Sequence, residues 1–319
     1  MTDGSHKHLE TPTHRLRVLA IIASFGLVAT GLGAVLGSVG RQEGLSDNAA
    51  IAAGAIMALG AFAVGSSAVP FAHWLLGDIG THRLIAAASP LHPLLKRLMS
   101  EAPGTYVHSV AVANLSEAAA ESVGADQLLA RVAAYYHDVG KLVRPCYFFE
   151  NAEANFNPHE QTQPAASVGI ITAHVDDGIA LAQQYRLPAP VLQIIREHHG
   201  TSLVRYFYHK AAEADASVFE SDFRYRGSHP HTKESAIVML ADASEASVRA
   251  MIDPDPERIE ASVRAVFAER LSDGQLDESG LDDDDFETMI DAFVRNLVSF
   301  RHVRCQYPVE KPMECGACR

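Results

Sequence analysis

Cysteine is scarce in this chain. Four residues, Cys146, Cys305, Cys315 and Cys318, cannot build a disulfide framework across 319 residues, and reduced thiols are the better reading. The last two sit in "CGAC", a CxxC spacing with no second such pair to complete a metal or redox motif. Positive charge is also short. Lys and Arg total 26 against 39 Asp and Glu, a formal charge of −13. That excludes the broadly basic surface of a protein that binds a nucleic-acid polymer. It leaves room for a small phosphate ligand, provided metal ions and a few cations line one pocket. Internal repeats and long low-complexity segments are missing too.

Ionisable residues are nearly absent from two runs. Between Arg17 and Arg41 lie 23 residues, "VLAIIASFGLVATGLGAVLGSVG", and between Asp47 and Asp78 lie 30 more, with His73 alone able to take a charge. About 20 apolar residues span a bilayer as helix, so each run is long enough. Gly33 and Gly37 have the small-xxx-small spacing that lets membrane helices approach closely and permits a homo-oligomer. Lys7, Arg15 and Arg17 precede the first run, and Arg83, Lys96 and Arg97 follow the second. The bias of Lys and Arg toward the cytoplasm then puts both termini inside. The expected organisation is a cytoplasmic tail over 1–17, a two-helix membrane hairpin over 18–78, a cytosolic domain over 79–308 and a tail over 309–319. The hairpin makes membrane lipid a partner and the cell membrane the location.

Beyond the hairpin the pattern is all-α. "SPLHPLLKRLMSEAPGT" (89–105) puts Leu94, Leu95 and Leu98 on one face before a Pro-Gly stop. "ADQLLARVAAYYHDVGKLV" (125–143) places Leu128, Val132 and Tyr136 at helical spacing. Stretches at 105–124, 164–186, 188–200 and 233–251 read the same way, the last with Ile237, Leu240 and Ala241 on one stripe. Two amphipathic helices follow. Ile259, Val263, Val266 and Phe267 mark one, and Phe286, Ile290, Phe293, Leu297 and Phe300 the other. Asp282–Asp285 opens the second, where negative charge suits the helix dipole. A polar loop covers about 150–163.

Polar residues interrupt these apolar helices at recurrent places: His108, the pair His137 and Asp138, His174, the pair His198 and His199, and Asp242. A single histidine on such a face is more often a hydrogen-bonded core residue than a ligand. Five His and two Asp on five helices offer the donors used by Zn, Fe and Mn. One divalent ion seldom needs seven, whereas two ions sharing a carboxylate would use them, and Asp138 is the natural bridge. Two cations some 3.5–4 Å apart are a known device for phosphoryl-ester hydrolysis. Lys141, about one turn from Asp138, could hold the phosphate or orient the water; its bland alternative is a solvated helix end.

The set H…HD…H…HH…D resembles the HD-domain metal-dependent phosphohydrolases. "EAPGTYVHS", "HDVGKL", "NPHE", "AHVDDGIALAQQYRLP", "EHHGTSLVRYFYHKA", "FRYRG" and "TKESAIVMLADASEA" resemble, more closely, the cytosolic domain of the seven-transmembrane HD-domain cyclic-di-AMP phosphodiesterases. The resemblance covers about residues 75–308. It implies a helical HD-domain bundle in which His108, His137, Asp138, His174, His198, His199 and Asp242 bind two divalent transition-metal ions, Mn or Fe with Zn or Co compatible. The implied reaction is hydrolysis of cyclic di-AMP to linear pApA by a metal-bridged hydroxide; Asp138 and Lys141 are the candidate catalytic residues, the second on its spacing alone. The family's ectodomain and most of its membrane helices have no counterpart here, and Arg226 stands where a proline is expected.

Thr201, Ser202, Arg205, Arg224, Tyr225 and Lys233 are the candidate substrate contacts, each with a solvated surface or helix capping as the alternative. Asn157, Pro158 and His159 could shape a lid, with His159 as a further metal donor. Two other functions stay open: phosphohydrolysis of another nucleotide or alarmone, and cyclic-dinucleotide binding with little turnover.

Overall fold

The computed structural model describes residues 46–152 and 157–301, with positions 31, 35, 38, 39, 42 and 44 before them. Most of the first charge-free run, Phe300 as a side chain and the "CGAC" tail therefore lie outside the described residues. The chain divides into a unit ending at His82 and a unit beginning at Arg83. The run between Asp47 and Asp78 lies within one helix, α1 (Asp47–Ala88). The same helix supplies Leu84 and Ala87 to the core of the second unit.

The second unit is a helical bundle, and its helices begin where the sequence provides caps. Helix α2 (Pro93–Glu101) starts with proline in its first turn, and His92 Nδ1 accepts from Leu94 N. It buries Leu94, Leu95 and Leu98. Helix α3 (Pro103–Ser122) carries His108. Asp126 caps α4 (Gln127–Tyr136) by accepting from Leu129 N at 2.9 Å. Helices α5 (Pro164–Gln184) and α6 (Ala189–Glu197) each have proline at the start, and the turn after α6 contains Gly200, whose φ is +54°. Helix α7 (Arg205–Ala214) packs Phe207 and Ala211 with Val168 and Phe223 in a small satellite cluster.

Thr232 caps α8 (Lys233–Arg249), which buries Ile237, Leu240 and Ala241 as their spacing predicts. Asp255 caps α9 (Pro256–Ser272), which buries Ile259, Val263 and Phe267. In α10 (Asp283–Arg301), Phe286, Ile290, Phe293 and Leu297 complete the core. The one strand-like pairing among the described residues is a bridge between Leu203 and Arg224, held by Val204 N to Phe223 O and Tyr225 N to Ser202 O.

Among the described residues helix α5 is long and apolar enough to cross a membrane, and Asp47–Gly60 of α1 is a shorter apolar stretch. Helix α5 buries Val168, His174 and Ala182 in the bundle, so its apolar face serves the core of the second unit.

One segment departs from its helical spacing. The α-helix through 125–143 stops at Tyr136, and Val139–Val143 continues as a 3₁₀ turn. Neighbours on an α-helix point about 100° apart and cannot converge on one spot. Ending the helix frees Asp138 to take φ −103°, ψ 12°, the sparsely allowed region where active-site residues recur. Gly140 explains why the turn sits where it does. A Cβ there would lie 1.8 Å from the His174 carbonyl oxygen and 2.5 Å from Gly178 N. Only glycine lets the turn press this closely onto α5.

Candidate metal centre

The seven predicted donors converge. Ligand atoms of His108, His137, Asp138 and Asp242 lie within 4.8 Å of one another, and so do those of Asp138, His174, His198 and His199. Asp138 belongs to both groups, and its two oxygens divide between them. Oδ2 lies 3.2 Å from His137 Nε2 and 3.6 Å from His108 Nε2. Oδ1 lies 3.3 Å from His174 Nε2 and 3.8 Å from His198 Nε2. Asp242 straddles in the same way, with Oδ1 3.0 Å from His108 Nε2 and Oδ2 3.8 Å from His199 Nδ1.

Backbone carbonyls set the ring orientations. His137 Nδ1 donates to Ala134 O at 2.7 Å, His174 Nδ1 to Ile171 O at 2.6 Å and His198 Nδ1 to Ile195 O at 2.7 Å. A carbonyl only accepts, so each Nδ1 carries a proton and each Nε2 points inward, with a free lone pair where the ring is neutral. His108 has a carboxylate in that role: its Nδ1 is 2.5 Å from Glu245 Oε2. Such outer partners orient metal-binding imidazoles and raise their basicity.

Three observations fit a cation between these groups. Buried His137 Nε2 and Asp138 Oδ1 have no hydrogen-bond partner of adequate geometry, a costly condition for polar atoms in an interior. His174 Nε2 and His198 Nε2 face each other at 3.2 Å, with lone pairs opposed. Burial also holds His174 below its ordinary pKa and, aided by His137 and His174, pushes His198 down to about 3. His199 is held well below its ordinary value by burial and His198. Neutral imidazoles are the form that binds metal.

The remaining members are held charged. Burial opposes ionisation of Asp138, but Lys141 and His137 outweigh it and keep the carboxylate well below the usual range. Asp242 is likewise held down, against burial, by His108 and His137. Burial disfavours charge on His137, yet Asp138 and Asp242 push it up to about 10. The donor set thus suits divalent cations, which would replace the proton that His137 holds beside these carboxylates.

Lys141 is not a solvated helix end. Its Nζ lies 2.7 Å from Asp138 Oδ2 and 2.8 Å from Glu150 Oε1, and its side chain is 14% exposed. Burial opposes its charge, but the two carboxylates raise its pKa. Glu150 also accepts from Thr105 Oγ1 at 3.1 Å. The sequence reading missed Glu150 and Glu245. Glu245 stands three residues after Asp242, on the same helix face, and that spacing was its available signal.

A cleft of about 430 Å³ opens on the cluster, with His108, Lys141, His174, His199 and Asp242 in its lining. Of the predicted substrate contacts, Tyr225 and Arg205 line it. Tyr225 stacks on His199 at 4.2 Å, and burial raises its hydroxyl pKa. A larger cavity of about 630 Å³ shares His199 and Tyr225 and is bordered by Arg196, Arg224 and Arg226.

The other candidates are engaged elsewhere. Thr201 N donates to Gln275 Oε1, and its hydroxyl meets Gln275 and His229. Arg224 is clamped by Glu220, Asp273 and the Thr201 carbonyl. Ser202 is buried and supplies the carbonyl that Tyr225 N bonds. Lys233 pairs with Asp285 at 2.6 Å, about 13 Å along α8 from Asp242 at 1.5 Å per residue. His159 lies outside both donor groups, with Nε2 2.8 Å from Tyr147 O.

Comparison with known proteins gives the arrangement its relatives. Residues 105–247 match the HD domain. Over 240 residues the chain is 46% identical to the cyclic-di-AMP phosphodiesterase PgpH of Bacillus subtilis (strain 168), covering 75% of this chain and 34% of that protein. Identity to PgpH of Listeria monocytogenes serotype 1/2a (strain 10403S) is 41% over 252 residues, 79% of this chain and 35% of that protein. The chain spans about a third of the length of these curated relatives. The crystal structure of the L. monocytogenes PgpH HD domain in complex with cyclic-di-AMP matches with a TM-score of 0.65 at 41% identity, covering 66% of this chain and 99% of that one. The chain belongs to the HD-domain family that includes the PgpH HD domain.

Proposed function

We propose that this chain is a two-metal phosphodiesterase that hydrolyses cyclic di-AMP to linear pApA. The carrying observation is the pair of donor groups joined at Asp138, with His137 Nε2 and Asp138 Oδ1 buried and unpartnered. Kinship with the PgpH HD domain, crystallised with cyclic-di-AMP, supports the substrate. His108, His137, Asp138 and Asp242 would hold one divalent ion, and Asp138, His174, His198 and His199 the other. Mn or Fe suits five imidazoles and two carboxylates, with Zn or Co also compatible. Bound ions supply positive charge to phosphate oxygens and lower the pKa of water.

Hydrolysis joins a water oxygen to phosphorus, breaks one P–O bond to a ribose, and moves one proton from the water to the leaving oxygen. Asp138, held ionised by Lys141, keeps its carboxylate available at the centre. Lys141 is a fixed positive charge and not a proton donor, because its two carboxylate partners raise its pKa. Tyr225 walls the cleft and excludes water from one face of His199. Arg205 supplies positive charge at the rim.

The charge-free run inside α1 would anchor the protein. Its 30 residues make a helix of about 45 Å, longer than the ~30 Å hydrocarbon core. With the run over 18–40 it forms the anchoring hairpin of this reading, and the domain over 79–308 faces the cytoplasm.

The test is incubation of the purified chain with Mn²⁺ and a panel of cyclic dinucleotides, with products separated by chromatography and metal content read by elemental analysis. Linear pApA from cyclic di-AMP, lost in Asp138→Asn, is the expected result. No linear product from any cyclic dinucleotide sinks the reading.

A further inference from the structure

Helix α9 lies beyond the segment matched to the HD domain, yet it walls the cleft with Val266, Glu269 and Arg270. Arg270 is the anomaly there. Its side chain is 15% exposed and Nη1 donates to Glu269 Oε1 at 2.8 Å. Its Nε–H is buried without a hydrogen-bond partner. A buried guanidinium donor left unpaired is costly, and each such group in a native protein calls for an acceptor. Glu269 Oε1 also forms an ion pair with Arg205 Nη2 at 3.0 Å. One carboxylate therefore faces two guanidinium groups on this wall, and Asp273, which also feels Arg270, is clamped by Arg224. The wall shares its cleft with His108, Lys141 and Asp242.

We propose that Arg270 and Arg205, drawn together by Glu269, form a second anion subsite for the phosphate of a cyclic dinucleotide that is not being cleaved. The inference rests on the substrate reading above. A cyclic dinucleotide carries two phosphodiesters in one ring. When one sits at the His/Asp cluster, the other remains within the span of the same ligand and needs its own counter-charge. The planar fork of a guanidinium matches two phosphate oxygens at once, and Arg270 brings to the cleft lining a guanidinium whose Nε–H no protein group uses. A diester with a single phosphate gains nothing from this wall. Arg270 is thus a specificity-determining residue, separating a dinucleotide from a simple diester.

The experiment compares cyclic di-AMP with bis(p-nitrophenyl) phosphate, which carries one phosphate, using the full chain loaded with Mn²⁺. Arg270→Gln raises KM for cyclic di-AMP. It lowers the ratio of the two kcat/KM values roughly tenfold, the size of one lost hydrogen bond to a charged group. Arg270→Lys, which keeps charge but loses the fork, recovers part of the ratio. Arg205 is 58% exposed, so Arg205→Gln folds readily and shifts the ratio the same way by a smaller factor. An unchanged ratio in Arg270→Gln and Arg205→Gln overturns the subsite. Equal losses on both substrates also overturn it, because they assign Arg270 to the fold or to the reacting phosphate. A parent protein that cleaves bis(p-nitrophenyl) phosphate but no cyclic dinucleotide overturns the substrate reading instead, and the subsite with it.

Discussion

Replacing Gly140 with alanine should dismantle the metal centre without touching a single donor atom. The new Cβ would lie 1.8 Å from the His174 carbonyl oxygen, where an ordinary contact begins at 3.4 Å. The turn and α5 must therefore part by about 1.6 Å, the difference between those two distances. Both neighbours are backbone, so no side chain can swing aside. Overpacking of this kind costs about 1–3 kcal/mol, and the sharper consequence is geometric. Asp138 stands two residues before Gly140, and its Oδ1 is 3.3 Å from His174 Nε2 across that seam. Metal–ligand distances tolerate roughly 0.2 Å, and a displacement near 1 Å in an active site can cost about a hundredfold in rate. The expected variant folds, melts several degrees lower, and holds less than the full complement of metal after gel filtration. Elemental analysis and thermal unfolding read both effects. Full metal content together with an unshifted melting temperature would refute the close-packing argument.

Three further perturbations follow from the same geometry. Glu245→Gln removes the carboxylate that orients His108 and should weaken metal binding about 10- to 100-fold; chelator competition reads this, and an unchanged affinity counts against the role. Lys141→Met strips the buried cation shared by Asp138 and Glu150 and should destabilise by about 3–5 kcal/mol in urea titrations at neutral pH. Glu150 has its pKa lowered by Lys141, against burial, so its stabilisation is present above the ordinary glutamate range and is lost as pH falls through its lowered value. The gap between parent and variant should therefore narrow in acid, and a gap that widens contradicts the pairing. Arg224→Gln should lower the melting temperature by unclamping Glu220, Asp273 and the Thr201 carbonyl, whereas a role confined to substrate contact would leave it unmoved.

Apolar periodicity made the helices legible, because the stripes over α2, α8, α9 and α10 are the stripes the bundle buries. The seven donors were legible as residues that apolar helices could not otherwise carry. Their outer partners were not. Glu245 meets His108 across 137 positions and Glu150 meets Lys141 from a separate 3₁₀ turn, Phe149–Asn151, and no periodicity encodes a contact of that kind. The end of α4 was hidden as well, since "YYHDVGKL" keeps helical spacing while Gly140 answers to a backbone on another helix. Arg224 and Lys233 looked free because their acids, Asp273 and Asp285, lie about 50 positions away. Arg270 drew no notice for the opposite reason: it sits in an ordinary amphipathic helix, and its distinction is a partner it lacks.

His137, His174 and His198 each tie Nδ1 to a carbonyl three residues back in their own chain segment. Each ring is thereby aimed by its local turn of helix, whatever the rest of the bundle does. The centre is consequently tuned by distances between backbones, and not by the swing of side chains. An ion of a different radius must push whole helices apart to be accommodated, so selectivity among metals becomes a property of the core's stiffness. Mutations in the apolar seams between α4, α5 and α6, far from any donor atom, are then the ones that should change which metal the protein prefers.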